Sequence, residues 1–226
     1  MAGSKANRDK WIASRNGGDT VEPLPLDPAT GKVSSLFGAS ENHLGEVGLV
    51  TNINEQTFTK PASAVQYTIG DFIGNNLTAN LVTPLSFPIG RIPNGSGRLT
   101  GCRATVAPAS GNLVTAGLSF ELLIFDTPPF AAGSYPADND VLTLTTLMYR
   151  HLIALFSFSS GSWRGPLGNP AAAGNTGYQA VAPSTSRPFA PYTNQQTLTG
   201  IVQAIATWNP GNIVNDFFFT LESDGN

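Results

Sequence analysis

A chain of 226 residues, 41% apolar and 12% charged, is long enough to bury one all-β core and carries about half the roughly 25% charge usual in globular domains. Such sparse charge excludes disorder driven by charge repulsion, and a formal net charge of −3 excludes a general nucleic-acid binder, which needs a concentrated excess of Lys and Arg. The single Cys102 cannot close an intrachain disulfide, and no run approaches the roughly 18 apolar residues of a membrane span.

From the N-terminus, Met1-Ala2-Gly3-Ser4-Lys5 leads into polar sequence instead of an apolar stretch, so no secretory leader is expected. All four lysines (Lys5, Lys10, Lys32, Lys60) lie in the first 60 residues, and every later strong cation is an arginine. Over the same stretch Asn16-Gly17-Gly18-Asp19, the proline-spaced Pro23-Leu24-Pro25-Leu26-Asp27-Pro28, and Gly31, Gly38, Gly45 and Gly48 interrupt any long helix or strand. Proline removes backbone donors and glycine adds chain entropy. Residues 1–60 are therefore expected to form an extended N-terminal arm. Its apolar side chains, Trp11, Leu24, Leu26, Phe37 and Leu44 foremost, cannot build a core of their own and are expected to pack on a partner.

Beyond residue 60 the pattern changes to short apolar runs bounded by Gly, Pro, Asn and Ser, which is strand-and-turn punctuation. The spacing predicts strands over 65–73, 81–87, 97–107, 141–147 and 152–158. Segment 118–126 alternates cleanly, with Leu118, Phe120, Leu122 and Ile124 on one face and Ser119, Glu121, Leu123 and Phe125 on the other. It should be buried on the first face and partly covered on the second. Segments 199–208 and 213–222, joined by Asn209-Pro210-Gly211-Asn212, are predicted to pair as a hairpin. No amphipathic helix of more than two turns stands out. The fold class expected is all-β, an antiparallel, jelly-roll-like β-sandwich over residues 61–226 with the extended arm ahead of it. Residues 161–196, rich in Pro, Gly, Ala and Asn, are expected to be a long surface loop.

Exposed rings anchor loops and interfaces alike. Trp163, Tyr178, Phe189 and Tyr192 in or beside that loop are candidates for an oligomer or partner interface, the alternative being that they pin the loop to the body. In Phe217-Phe218-Phe219 consecutive rings must occupy both faces of one strand. The outward ring, Phe218, needs another surface to cover it, which self-association would supply.

Chemistry-bearing residues are few. His43 and His151 lie at no metal-ligand spacing from each other or from Cys102, so no zinc site is expected. Asp126, Asp138 and Asp140 could gather around calcium, but Asp138-Asn139-Asp140 reads more simply as a turn whose short side chains bond their own backbone. Glu121 and Asp126 could serve as paired carboxylates, yet five residues apart on one strand they point to opposite faces. No Gly-x-Ser-x-Gly elbow or phosphate-binding Gly-Lys-Ser/Thr motif occurs, and Cys102 reads as a buried thiol. No catalytic residue, cofactor or metal is expected, and the chain is expected not to be an enzyme.

Leu85-Ser86-Phe87-Pro88, the Asn94-Gly95-Ser96-Gly97 turn entering Arg98-Leu99-Thr100-Gly101-Cys102-Arg103, the strand from Gly117 to Phe125 with Asp126-Thr127-Pro128-Pro129, and Ala137-Asp138-Asn139-Asp140 follow one another in a characteristic order. In that order the chain, roughly from Tyr67 to Phe158, resembles a family of small structural proteins of tailed bacteriophages, of the capsid decoration or cement type. The resemblance implies a β-sandwich virion protein on the outer surface of a head, with no catalytic residues. It would be assembled in the host cytoplasm and partnered by the phage major capsid protein, without nucleic acid or membrane. A homotrimeric body with the arm laid across capsid subunits is the matching expectation. A tail, neck or fibre module that binds host glycan through the loop aromatics is the alternative.

Overall fold

The computed structural model describes residues 51–88, 97–108, 118–164, 177–186, 188, 197–212 and 214–225. Among them ten strands run in chain order as β1 (Thr51–Lys60), β2 (Phe72–Ile73), β3 (Leu85–Pro88), β4 (Gly97–Pro108), β5 (Phe120–Phe125), β6 (Leu152–Phe158), β7 (Gly177–Val181), β8 (Thr185–Ser186), β9 (Thr197–Ala204) and β10 (Asn215–Gly225). One short helix, α1 (Thr146–Arg150), precedes β6. Every strand pair is antiparallel. The first sheet has the order β1-β10-β4-β7; the second has β2-β9-β5-β6-β8, with β3 pairing β9 alongside β2.

The two sheets close on each other through the residues whose alternation selects that face. Phe217, Phe219, Leu221, Ala104 and Val106 from the first sheet meet Phe120, Leu122, Phe156, Phe158 and Val202 from the second, all at 2% exposure or less. The fold is thus an antiparallel β-sandwich, as expected. A second apolar cluster covers the back of the second sheet, where Leu123, Phe125 and Ile201, with Phe72 of β2 beside them, pack under Val82, Tyr135 and Leu142. The coverage of the second face of 118–126 is complete at Leu123 and Phe125. Segments between the strands supply the cover.

Several boundaries differ from expectation, each for a tertiary reason. Contacts divide the chain into Met1–Gly48 and Leu49–Asn226, and residues 51–60, assigned above to the arm, form strand β1. Segments 199–208 and 213–222 are not a hairpin: β9 lies in the second sheet and β10 in the first. The turn residues are the anticipated ones, Gly211 (φ 69°) and Asn212 (φ 54°), but they serve a corner between sheets. Burial explains the choice. β9 has Leu198, Ile201 and Val202 buried on both faces, which suits a sheet covered on both sides. β10 alternates buried Phe217, Phe219 and Leu221 with half-buried Phe218, Thr220 and Glu222, which suits a sheet with one open face.

Segment 141–147 is not a strand beyond the single bridge Val141↔Asp71. Thr145 caps helix α1 instead, its hydroxyl accepting from Met148 N at 3.4 Å, and Leu142 is spent on the second cluster. Of 65–73 only Phe72–Ile73 pairs as strand, because Gly70 (φ 97°) turns the chain just before it. The expected loop 161–196 contains β7 and β8, and Gly177 and Gln179 of β7 are buried.

Gly200 of β9 is a point of close approach. A Cβ there would stand 2.7 Å from Phe87 Cε2 and 3.2 Å from Leu85 Cβ. Gly200→Ala should cost about 1–3 kcal/mol through overpacking, read as a lower urea midpoint with an unchanged slope.

Candidate functional site

The first sheet presents one face to the core and the other outward, and its register places the outward side chains in rows. One row runs Thr57, Phe218, Thr105, Tyr178 across all four strands. The next runs Glu55, Thr220, Arg103, Ala180. Thr220 Oγ1 donates to Glu55 Oε2 at 3.4 Å, and Thr59 Oγ1 to Asp216 Oδ1 at 2.6 Å, so the face is polar and internally bonded around two rings. Tyr178 is 38% exposed, and Phe218 is half-buried. Two of the aromatics singled out in the sequence therefore share one row of an open sheet face.

Trp163 does not join them. It is 3% exposed, packs 5.6 Å from Phe120 and 6.2 Å from Phe158 by ring centroids, and donates Nε1–H to the Leu118 carbonyl at 2.9 Å. It belongs to the core, because an indole whose one donor is satisfied internally can be buried whole. Its assignment to an interface is corrected on that ground. Phe189, Tyr192 and the arm residues Trp11, Leu24, Leu26, Phe37 and Leu44 lie outside the described residues.

A buried polar cluster stands at the end of β1 that sequence reasoning missed. Lys60 is fully buried, donating Nζ–H to the Pro61 carbonyl at 2.5 Å with the ammonium 5.8 Å from the Tyr67 ring centroid. Tyr67, stacked on Trp208 at 4.7 Å, donates its hydroxyl to Asp138 Oδ1 at 2.6 Å, and Gly74 N–H donates to the same oxygen at 2.9 Å. Asp138 is 6% exposed, and among the described residues its Oδ2 has no hydrogen-bond partner. Burial pushes the Asp138 carboxyl above its ordinary value, while the Tyr67 and Gly74 donors and the nearby Lys60 pull the other way without cancelling it. Burial likewise lowers Lys60 and raises Tyr67. Each group shifts toward its neutral form, and the Tyr67–Asp138 hydrogen bond ties the chain just after β1 to the 137–140 turn.

The remaining titratable residues are dispersed. Asp126 holds His151, with Oδ1 and Nδ1 2.8 Å apart; Asp140 accepts from Ala137 N at 3.0 Å in the predicted turn; Glu121 accepts from Ser157 Oγ at 2.6 Å. Glu121 and Asp126 thus have separate partners. Among the described residues no group of three or more His, Cys, Asp and Glu could hold a metal ion, and no helix is long and apolar enough to cross a membrane. Cys102 is buried, with its thiol pushed well above the ordinary value by desolvation first and the Glu222 charge second.

No family model and no curated protein matches the chain. Solved structures that it resembles include a semi-empty virus-like particle of the Macrobrachium rosenbergii nodavirus of the giant freshwater prawn (12% identity, 93% of this chain and 94% of that one, TM-score 0.28). Cocksfoot mottle virus (14% identity, 91% and 97%, TM-score 0.21) and Triatoma virus (10% identity, 97% and 81%, TM-score 0.21) are likewise similar. At such TM-scores these likenesses carry no argument, and the functional reading rests on the chain itself.

Proposed function

We propose that this chain is a non-enzymatic structural subunit of a virus particle, of the tailed-phage decoration or cement type, which binds the outer surface of the capsid. The observation that carries the reading is the open face of the first sheet, where Phe218 and Tyr178 lie in one register row with Thr57 and Thr105, and Arg103 stands in the next. Half-covered rings set in a polar field form the kind of surface that protein partners bury. The resemblance over Tyr67 to Phe158 supports the phage assignment. In this reading the partner is the major capsid protein, the body is a homotrimer, and Trp11, Leu24, Leu26, Phe37 and Leu44 ahead of β1 grip the shell at about 1.5–3 kcal/mol for each side chain fully buried. Repetition over a shell makes modest contacts collectively strong.

The glycan-binding tail or fibre alternative loses its principal aromatic, because the Trp163 ring is covered by Phe120 and Phe158. Quantitative mass spectrometry of purified particles tests the reading: on the order of hundreds of copies per particle are expected for a repeated decoration contact. A count in low double digits would remove it. Phe218→Ser together with Tyr178→Ser should leave folding within about 1 kcal/mol of wild type and reduce particle occupancy at least about tenfold. Unchanged occupancy would show that this face is not the contact.

A further inference from the structure

Strand β1 ends the first sheet: β3 of the second sheet lies near it, but among the described residues no strand is hydrogen-bonded to its second edge. Its ladder with β10 is regular over all ten residues, from Thr51↔Asp224 to Lys60↔Asn215, and the irregularity in this sheet falls between Glu222 and Ser223 against β4. The opposite edge is different: β7 is five residues long, and Arg164 exchanges backbone hydrogen bonds with Tyr178 there at 2.9 and 2.7 Å.

Long edges are normally guarded by proline, a bulge or an outward lysine. In Thr51–Lys60 there is no proline, the ladder has no bulge, and the lysine is buried; Glu55 is the sole outward charge. What satisfies such a row of alternating N–H and C=O groups is another extended strand.

We infer that β1 pairs antiparallel with β1 of a second copy across a two-fold axis at Gln56, joining two four-stranded sheets into one. A two-fold perpendicular to the sheet keeps each face on its own side, so outward residues oppose outward residues. An axis at Glu55 would set the two Glu55 carboxylates directly opposite, which like charges disfavour. An axis at Thr57 would shorten the pairing to residues 54–60. The axis at Gln56 pairs everything from Asn52 to Lys60, with Glu55 facing Thr57, Ile53 facing Thr59 and Asn54 facing Phe58, and no like charges meet. The two-fold would be a second interface beside that of the proposed homotrimer, joining a subunit of one trimer to a subunit of another, and copy number in particles does not bear on it.

Cysteine placement in the full-length chain decides it. Directly opposed residues in an antiparallel pair stand about 4.5–5.5 Å apart at Cα, within disulfide reach. Gln56→Cys, mildly oxidised at high protein concentration, should double in mass on a non-reducing denaturing gel. Wild type, whose Cys102 is buried, should not. Ile53→Cys should stay single, since the two copies of residue 53 lie six positions apart along the strand, about 20 Å. Should Gln56→Cys fold poorly, an equal mixture of Glu55→Cys and Thr57→Cys chains, both outward and exposed, tests the same register and should yield the mixed dimer. A single-mass product from Gln56→Cys and from the mixture would overturn the pairing, as would equal crosslinking of Ile53→Cys.

Discussion

Replacing Phe120 by alanine is expected to destabilise the native state by about 3–5 kcal/mol, the largest single-residue effect anticipated in this chain. The ring is fully buried and lies where the sheets meet. Its centroid is 5.0 Å from Phe158 and 5.6 Å from Trp163 on its own side of the sandwich, and 5.6 Å from Phe217 and 5.9 Å from Phe219 across it, the last two edge-on. Truncation removes the transfer energy of the ring and leaves a cavity whose walls are other rigid rings, which cannot collapse into it. Against a total stability of about 5–15 kcal/mol typical of single domains, such a loss is visible as a large drop in urea midpoint. Tryptophan fluorescence reports it directly, because Trp163 is in the same cluster. Phe218→Ala, on the outward face of β10 in the facing sheet, should cost under about 1 kcal/mol and serves as the comparison. A loss below about 1.5 kcal/mol for Phe120→Ala would contradict the packing described.

The second large effect is a pH dependence that runs against the usual sense for carboxylates. In the unfolded chain Asp138 releases its proton near the ordinary aspartate value of about 3.9. In the native state burial holds that proton to higher pH. Between the two values the native state binds more protons than the unfolded one, so unfolding free energy falls as pH rises. The stabilisation is full below the ordinary value and is lost as pH climbs through the raised one, with a slope of up to ~1.4 kcal/mol per pH unit. Asp138→Asn cannot titrate, and its amide oxygen can still accept from Tyr67 and Gly74. Urea unfolding of both proteins from about pH 4 to pH 7 isolates the effect, since subtracting the variant removes the other carboxylates. The wild-type advantage should shrink as pH rises; a flat or growing difference would refute the assignment. Lys60, lowered by burial, works on the alkaline side. Its contribution is present above its ordinary value and is lost as pH falls through the lowered one.

Legibility followed the range of the interactions involved. Strands 97–107, 118–126 and 152–158 were predicted nearly to the residue, because each alternates strongly enough that local pattern and burial agree. The outward placement of Phe218 and the inward placement of Phe217 and Phe219 also followed from parity alone. Strand β1 was hidden for a definite reason. Its inward residues Asn52, Asn54 and Gln56 are polar, and its two large apolar residues, Ile53 and Phe58, point to opposite faces, so no hydrophobic period marks it. Lys60 and Asp138 were unreadable as a pair because nothing in their local surroundings announces a buried cation and carboxyl 78 positions apart on either side of Tyr67. Tyr178 could be flagged as a candidate contact, but its place beside Phe218 depends on β7 and β10 both reaching β4.

Composition, turn residues and two-residue periodicity were thus enough to establish an antiparallel all-β body without a disulfide. They also separated inward from outward rings on each strong strand, since those properties depend on neighbours in sequence. Which sheet a strand joins was decided only in three dimensions. The corner at Gly211 and Asn212 serves a hairpin and a sheet-to-sheet crossing equally well, and the outcome turned on whether a strand's second face finds cover. The open aromatic row and the unpaired edge of β1 were decided the same way, by long-range pairings that turn one face of the first sheet outward and leave one of its edges without a hydrogen-bonded strand among the described residues.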